Sequence, residues 1–160
     1  MGTRATIIGK NKNGEYCYCQ TWYDGYNNTG WLQEHMSNPD EVEQFLAKIT
    51  KRPIRCLTYE ENKKTNSYKL NSPKVKWDKF SKYDNGKTLS KQRIYKLLTG
   101  KNLSEYEKWD FVGLDYEYIS FWDGEKWVGT GGDFWEHLAN AELIGDSDCN
   151  DKVIDYIMNH

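Results

Sequence analysis

The chain has no apolar run near the ~20 residues that a membrane-spanning helix needs, and it has no signal-peptide core. Hydrophobic residues make up 38% of the 160 residues, mean hydropathy is -0.92, and there are only three prolines. These absences argue against a membrane span and against a secretory signal. We therefore expect a protein of the cytoplasm that makes no membrane contact.

Cysteine is also scarce, and its spacing is that of no known metal motif. The four cysteines form no C-x-x-C pair, and the three histidines are scattered. A structural zinc site needs four convergent nitrogen or sulfur ligands, so we predict no metal. Cys17 and Cys19 are two apart on a probable strand and share one face, which favours small buried thiols in a reducing compartment.

Catalytic signatures are missing as well. Glu34-His35 and Glu136-His137 are the only acid–histidine neighbours of note, and adjacent helical residues point about 100° apart. No H-E-x-x-H motif or Ser/Cys–His spacing supports them. The sequence predicts no enzyme, no catalytic residue and no cofactor.

Aromatic residues, in contrast, are abundant. They make up 15% of the chain, with 7 Trp and 12 Tyr. A few large rings bury as much area as many aliphatic side chains, so a folded core is expected despite the low hydrophobic content. The length predicts a single domain over residues 1–160.

Charge is strongly polarised along the chain, although the total is only -2. Residues 1–47 carry a net charge of -3, residues 48–109 carry +11, and residues 110–160 carry -10. Such a distribution creates a surface field that the whole-chain pI hides.

Strand signals come as hairpins, with helix signals dispersed between them, which predicts an α+β fold with a mainly antiparallel sheet built from hairpins and several short helices. Asn13-Gly14 indicates a type I′ turn after a first strand. Asn38, Pro39 and Glu41 have the pattern of an N-cap, a first helical position and a capping box. Val42, Phe45, Leu46 and Ile49 would form the buried stripe of that helix.

Further along, strands are predicted near residues 54–59 and 111–122, and helices near residues 89–98 and 150–158. Gly100 would end the first of these helices. The middle of the chain, residues 48–109, is basic and is predicted to be rich in loops.

Two stretches resemble approximate copies of each other, near residues 16–37 and 116–138. Each has alternating aromatics, an Asp-Gly pair, a Thr-Gly pair and a Glu-His pair. The pattern predicts two related strand–turn–helix units. Thr29-Gly30 and Thr130-Gly131 would each lie before a helix, where backbone amides can bind phosphate.

The sharpest cluster is Trp22, Asp24, Gly25 and Tyr26. One interpretation is a partner-binding surface at Trp22, Asp24 and Tyr26, with rings to stack on and a carboxylate to accept hydrogen bonds. The other is a tight turn flanked by core rings, with Asp-Gly selected for its backbone angles. The sequence leaves both open.

The basic middle contains a second candidate surface. Lysines alternate there with rings suited to stacking on single-stranded nucleic acid. The nucleic-acid candidates are Lys74, Lys76, Lys79, Lys82 and Lys87, and the partner-binding candidates are Trp77, Phe80 and Tyr83. The alternative is a solvated loop that keeps the protein soluble. Scarce arginine argues against base-specific readout.

The acidic third, residues 110–160, admits three interpretations. It could pair with the basic middle, form a solvated face, or present carboxylates to a basic groove of a partner. Asp146, Asp148 and Asp151 are spaced like the start of a calcium loop, but the required Gly and terminal Glu are missing.

Several of these motifs together resemble a set of small phage-encoded proteins. They are the opening Met-Gly-Thr-Arg, Tyr16-Cys17, Trp22-x-Asp24-Gly25-Tyr26, Leu32-x-Glu34-His35 and Asn38-Pro39-Asp40. The resemblance covers about the first 46 residues, with Tyr23 inserted and no His beside Trp22. It implies a phage or prophage origin and no assigned enzymatic activity.

That origin favours one functional hypothesis. We expect a phage-encoded binding protein that inhibits a host defence complex, CRISPR or another anti-phage system, by protein–protein contact. Its partner would be a host defence protein or ribonucleoprotein in the bacterial cytoplasm. The alternative is a module that binds nucleic acid or a nucleotide signal through the lysine and aromatic residues. The oligomeric state stays open.

Overall fold

The computed structural model describes residues 3–51, 56–57, 87–101, 116–132 and 142–160. The described strands are β1 (Ala5–Lys10), β2 (Tyr16–Thr21), β3 (Lys87–Leu89), β4 (Tyr118–Trp122) and β5 (Trp127–Gly129). The described α-helices are α1 (Asn28–His35), α2 (Pro39–Lys51), α3 (Lys91–Thr99) and α4 (Asn150–Met158). Single 3-10 turns, Gly25–Asn27 and Ser147–Cys149, precede α1 and α4.

The five described strands form one sheet in the order β3-β2-β1-β4-β5. Three of its neighbouring pairs are antiparallel, whereas the central pair β1–β4 is parallel. The α+β class and the mostly antiparallel sheet are as the sequence predicts. The parallel centre differs, because strands so far apart in the chain are joined by a long crossover rather than by a tight turn.

Both faces of the sheet are covered by helices. Adjacent residues Ile7 and Ile8 of β1 belong to opposite apolar clusters, as strand alternation requires. Helices α1 and α2 pack on the Ile7 side, and helices α3 and α4 pack on the Ile8 side. The described part of the fold is thus a helix–sheet–helix arrangement in three layers.

Local signals for three helices are confirmed. Asn38 Oδ1 accepts hydrogen bonds from the N–H groups of Asp40 (2.9 Å) and Glu41 (3.2 Å), and so caps α2. The predicted α2 stripe is buried, and so are Ile94, Leu97 and Leu98 of α3. Gly100 ends α3 with a φ of 70°, and α4 spans the predicted residues.

Other local predictions need correction. Asn13 does not have the positive φ that a type I′ turn requires; only Gly14 does (78°), and Gly14 N–H donates to Asn11 O at 3.0 Å. The β1–β2 connection is therefore a type I turn closed by a left-handed glycine. Leu57 is helical and buried rather than part of a strand, because a short apolar run does not distinguish the two.

The two predicted repeat units do not follow the same path. After Asp24-Gly25 the chain enters a 3-10 turn and α1, whereas after Asp123-Gly124 it enters β5. Glu136-His137 lies outside the described residues. The Thr-Gly pairs of both stretches are buried, so Thr29-Gly30 and Thr130-Gly131 present no exposed amides to a phosphate.

Candidate functional site

The loop after β2 is held against the N-terminal end of β1 by close backbone contact. Gly25 N–H donates to Thr3 O at 3.1 Å. A Cβ placed on Gly25 would lie 2.5 Å from the Ala5 Cβ and 2.9 Å from Thr3 O. Glycine is required here by this approach, since Gly25 itself has no positive φ. The loop is thus fixed at its middle.

The same loop is fixed a second time at the start of α1. Gly132 N–H donates to Tyr26 O at 3.2 Å, and Asn28 Nδ2 donates to Thr21 Oγ1 at 3.0 Å. These bonds tie the loop to the β5 side of the sheet and to the end of β2. A surface held this way loses little conformational entropy when it binds.

Below the loop lies a buried hydroxyl network. Thr29 Oγ1 donates to Thr130 O at 3.0 Å and lies 2.6 Å from Ser120 Oγ. Thr130 Oγ1 accepts from Ile119 N–H at 3.1 Å and lies 2.6 Å from Asn150 Oδ1. The network joins α1 and α4 through the sheet and fixes the base of the loop.

On this base, residues Trp22–Tyr26 form the outer surface, which we call the Trp22–Tyr26 surface. Tyr23 is 43% exposed. It is the only exposed large hydrophobic residue among those that the structure describes. Trp22 and Tyr26 of the same segment are half-buried, and Asp24 is exposed. Exposed rings of this kind are enriched where proteins bind one another.

Asp24 has an unusual backbone. Its φ is 56°, and it is the only non-glycine residue of the described ranges with a positive φ. Aspartate tolerates this left-handed conformation better than most residues, yet the conformation still costs free energy relative to glycine. The left-handed residue is thus Asp24 and not Gly25, and the rings of Trp22 and Tyr26 beside it are half-buried rather than in the core.

The Trp22–Tyr26 surface contains the predicted residues Trp22, Asp24 and Tyr26. The sequence analysis did not single out Tyr23 as a contact residue, nor did it place Cys56 beside Asp24. The Cys56 thiol lies 3.7 Å from Asp24 Oδ2 across 32 residues of chain. Only the position of Tyr23 between a strand end and an Asp-Gly pair could have indicated its exposure.

Most of the second predicted surface lies outside the described residues. This applies to Lys74, Lys76, Lys79 and Lys82, and to Trp77, Phe80 and Tyr83. Lys87 begins β3, with its Cα opposite that of Tyr18 in β2. The second surface therefore stays a prediction.

The Cys17 thiol and the His35–Glu34 pair are the other reactive groups to consider, and both have surroundings typical of structural residues. Burial, followed by the charges of Glu43 and Glu15, raises the pKa of the Cys17 thiol to about 11, so it is protonated at neutral pH. His35 Nε2 lies 3.7 Å from Glu34 Oε2 on an exposed part of α1, with its ring against Trp31. Neither arrangement favours nucleophilic or acid–base chemistry.

The described ranges contain neither a cluster of metal-ligating side chains nor a membrane-spanning helix. No three His, Cys, Asp or Glu side chains within them converge as metal ligands would. No helix within them has the length and apolar character to cross a membrane. Comparisons of the chain with known protein families, with curated proteins and with solved structures returned no match.

Proposed function

We propose that this chain is a phage-encoded binding protein that inhibits a host defence complex, CRISPR or another anti-phage system, by protein–protein contact. It would act without catalysis in the cytoplasm of the bacterial host. The Trp22–Tyr26 surface would contact the partner, and the phage origin rests on the sequence resemblance.

One observation supports this function most. The exposed large ring and the positive φ of a non-glycine residue fall on two consecutive residues, Tyr23 and Asp24. Exposing a large ring and holding a left-handed aspartate both work against stability, and departures of this kind concentrate at functional sites. A loop fixed by Gly25 and Gly132 would present both residues to a partner without rearrangement.

Plaque formation tests the proposal. The protein is expressed in bacterial hosts that carry one defined defence system each, and phage plating efficiency is compared with the same hosts lacking the system. We expect plating to be restored in at least one defended host and to be unchanged in undefended hosts. Restored plating should disappear in Tyr23→Ser while the melting temperature stays within about 2 °C, since an exposed side chain contributes little stability.

Gln44→Ala, at an exposed position of α2, is the matched control and should restore plating fully. Restored plating that survives Tyr23→Ser and Trp22→Ala would contradict the assigned surface. If plating is restored in none of the defended hosts, the inhibitor function is contradicted. A partner lost on nuclease treatment of the purified complex would support the nucleic-acid alternative.

A further inference from the structure

The Asp24 carboxylate does not make the capping hydrogen bond that an aspartate at the start of a helical turn usually makes. Asp24 is the N-cap residue of the 3-10 turn Gly25–Asn27, yet its side chain makes no capping hydrogen bond. An N-cap aspartate normally accepts from a backbone N–H two or three residues on. The left-handed backbone of Asp24 instead directs the carboxylate towards the side chains of Tyr26 and Cys56.

Those two contacts leave most acceptor sites of the exposed carboxylate open to solvent or to a ligand. Tyr26 Oη donates to Asp24 Oδ1 at 3.4 Å, and the Cys56 thiol donates to Oδ2 at 3.7 Å. The first is long for an O–H···O bond, and a thiol is a weak donor. An ionised carboxylate has about four acceptor sites. No lysine or arginine of the described residues makes an ion pair with Asp24.

Aromatic residues flank Asp24 in the chain. Tyr23 is exposed, and the half-buried Trp22 and Tyr26 lie within two residues of Asp24. The faces of aromatic rings attract cations and stack well on planar ones. An exposed carboxylate in an aromatic segment therefore favours a cation, whereas it repels the phosphates of a nucleic acid.

We infer that the Trp22–Tyr26 surface binds an arginine side chain presented by a protein partner. The guanidinium group would lie against the Tyr23 ring and donate two N–H groups to the Asp24 carboxylate. Arginine fits better than lysine because its planar fork both stacks on rings and pairs with a carboxylate through two hydrogen bonds. Tyrosine, tryptophan and arginine are also the residues that dominate binding energy at protein interfaces.

The inference rests on the proposed function, because it names the chemistry of the partner at the same surface. It can nevertheless be tested without knowing the partner. The probe is the capped pentapeptide Gly-Gly-Arg-Gly-Gly, titrated into the ¹⁵N-labelled full chain. The same peptide with lysine, and with the neutral isostere citrulline, serve for comparison.

We expect saturable shifts of the Trp22 indole N–H and of the Tyr23 and Asp24 amides with the arginine peptide. Binding of the lysine peptide should be several-fold weaker and that of the citrulline peptide at least about tenfold weaker, since citrulline lacks the charge. Asp24→Asn should abolish the response, and it keeps the fold because asparagine also tolerates a positive φ. Asp146→Asn, at another exposed carboxylate, should leave the response unchanged.

Three results of the titration would overturn the inference. One is equal binding of the arginine and citrulline peptides, and another is an arginine response that persists in Asp24→Asn. The third is tighter binding of a thymidine oligonucleotide than of the arginine peptide at this surface. Loss of restored phage plating in Tyr23→Ser but not in Asp24→Asn would refute the arginine contact and keep the proposed function. Plating unaffected by both variants would refute the surface itself.

Discussion

Tyr156 of α4 donates a 2.5 Å hydrogen bond to Asp123 Oδ2 in the turn between β4 and β5. The other oxygen of Asp123 accepts from the N–H groups of Glu125 and Lys126. Burial acts to raise the pKa of Asp123, but these hydrogen bonds and the charge of Lys126 outweigh it and lower the pKa. One carboxylate thus shapes a turn and attaches the end of α4 to it.

Tyr156→Phe should destabilise the protein by about 1 kcal/mol, because it removes a charge-assisted hydrogen bond at a partly exposed site. Urea unfolding at neutral pH measures the loss. Tyr95→Phe is the control, since the Tyr95 hydroxyl interacts only with the exposed Lys101 Nζ at 3.2 Å among the described contacts. A loss as large in Tyr95→Phe as in Tyr156→Phe would contradict the special role of the Asp123 bond.

Stability should also fall between pH 10 and 12. The hydrogen bond to Asp123, followed by burial, raises the pKa of Tyr156 from 10.0 to about 12. A pKa raised in the folded state gives a contribution that is complete below the unfolded pKa and is lost as the pH rises through the folded one. Free energies of unfolding measured in steps across this range should decline, and the decline should be shallower in Tyr156→Phe.

Two other tyrosines contribute to the same decline. The pKa of Tyr116 is raised to about 12 by burial and by Asp151, and that of Tyr118 to about 12 by burial, Asp146 and Glu117. Part of the effect must therefore survive in Tyr156→Phe. Asp123→Asn should reduce the decline like Tyr156→Phe, and an unchanged decline in both variants would show that the hydrogen bond does not set the pKa of Tyr156.

What the sequence predicts well in this chain is local. The cap of α2 at Asn38, its buried stripe and the end of α3 at Gly100 each depend on residues within about four positions of one another. The two helix ends are set by short-range hydrogen bonds, from Asp40 N–H to the Asn38 side chain and from Gly100 N–H to Lys96 O. Neighbouring elements need not be known to predict them.

What the sequence does not predict is set by contacts between distant segments. The parallel β1–β4 pair joins Ala5 with Tyr118, and a strand carries no mark of its partner's direction. The sequence predicts the candidate site only in part, because some of its features also depend on contacts between distant segments. Trp22, Asp24 and Tyr26 follow from a local motif, whereas the unused capping role of Asp24 and its contact with Cys56 depend on the folded chain.

Thr29→Val should cost about 1–3 kcal/mol of stability, because it leaves the Ser120 hydroxyl and the Thr130 carbonyl without their buried partner. Valine has nearly the same shape as threonine, so no cavity contributes. Thr50→Val is the matched control, since Thr50 Oγ1 bonds to Ala47 O in an exposed part of α2. Its effect should stay below about 0.5 kcal/mol.

The double variant Thr29→Val with Ser120→Ala tests whether the network acts as a unit. Removing both hydroxyls leaves fewer unsatisfied groups than the single variants together, so the losses should fall short of additivity by about 0.5–3 kcal/mol. Strict additivity would mean that the 2.6 Å Thr29–Ser120 contact does not couple the two residues energetically.

Two glycine variants distinguish two reasons for a glycine, a close contact at Gly25 and a positive φ at Gly14. Gly25→Ala places a Cβ 2.5 Å from the Ala5 Cβ at a residue without positive φ, whereas Gly14→Ala meets nothing within 4 Å at a φ of 78°. Both should destabilise the protein, Gly25→Ala by roughly 1–3 kcal/mol through overpacking and Gly14→Ala by about 1 kcal/mol through strain. Thermal and urea unfolding measure both losses.

Their effects on binding should differ, and this difference tests how the candidate surface is held. Gly25→Ala must push the Trp22–Tyr26 surface away from β1, because the Ala5 Cβ and the Thr3 carbonyl cannot both give way. The arginine-peptide response should therefore be lost in Gly25→Ala and kept in Gly14→Ala, which alters the opposite end of β1. An unchanged response in Gly25→Ala would mean that the surface forms without its anchor on β1, and that its residues rather than their rigid placement determine binding.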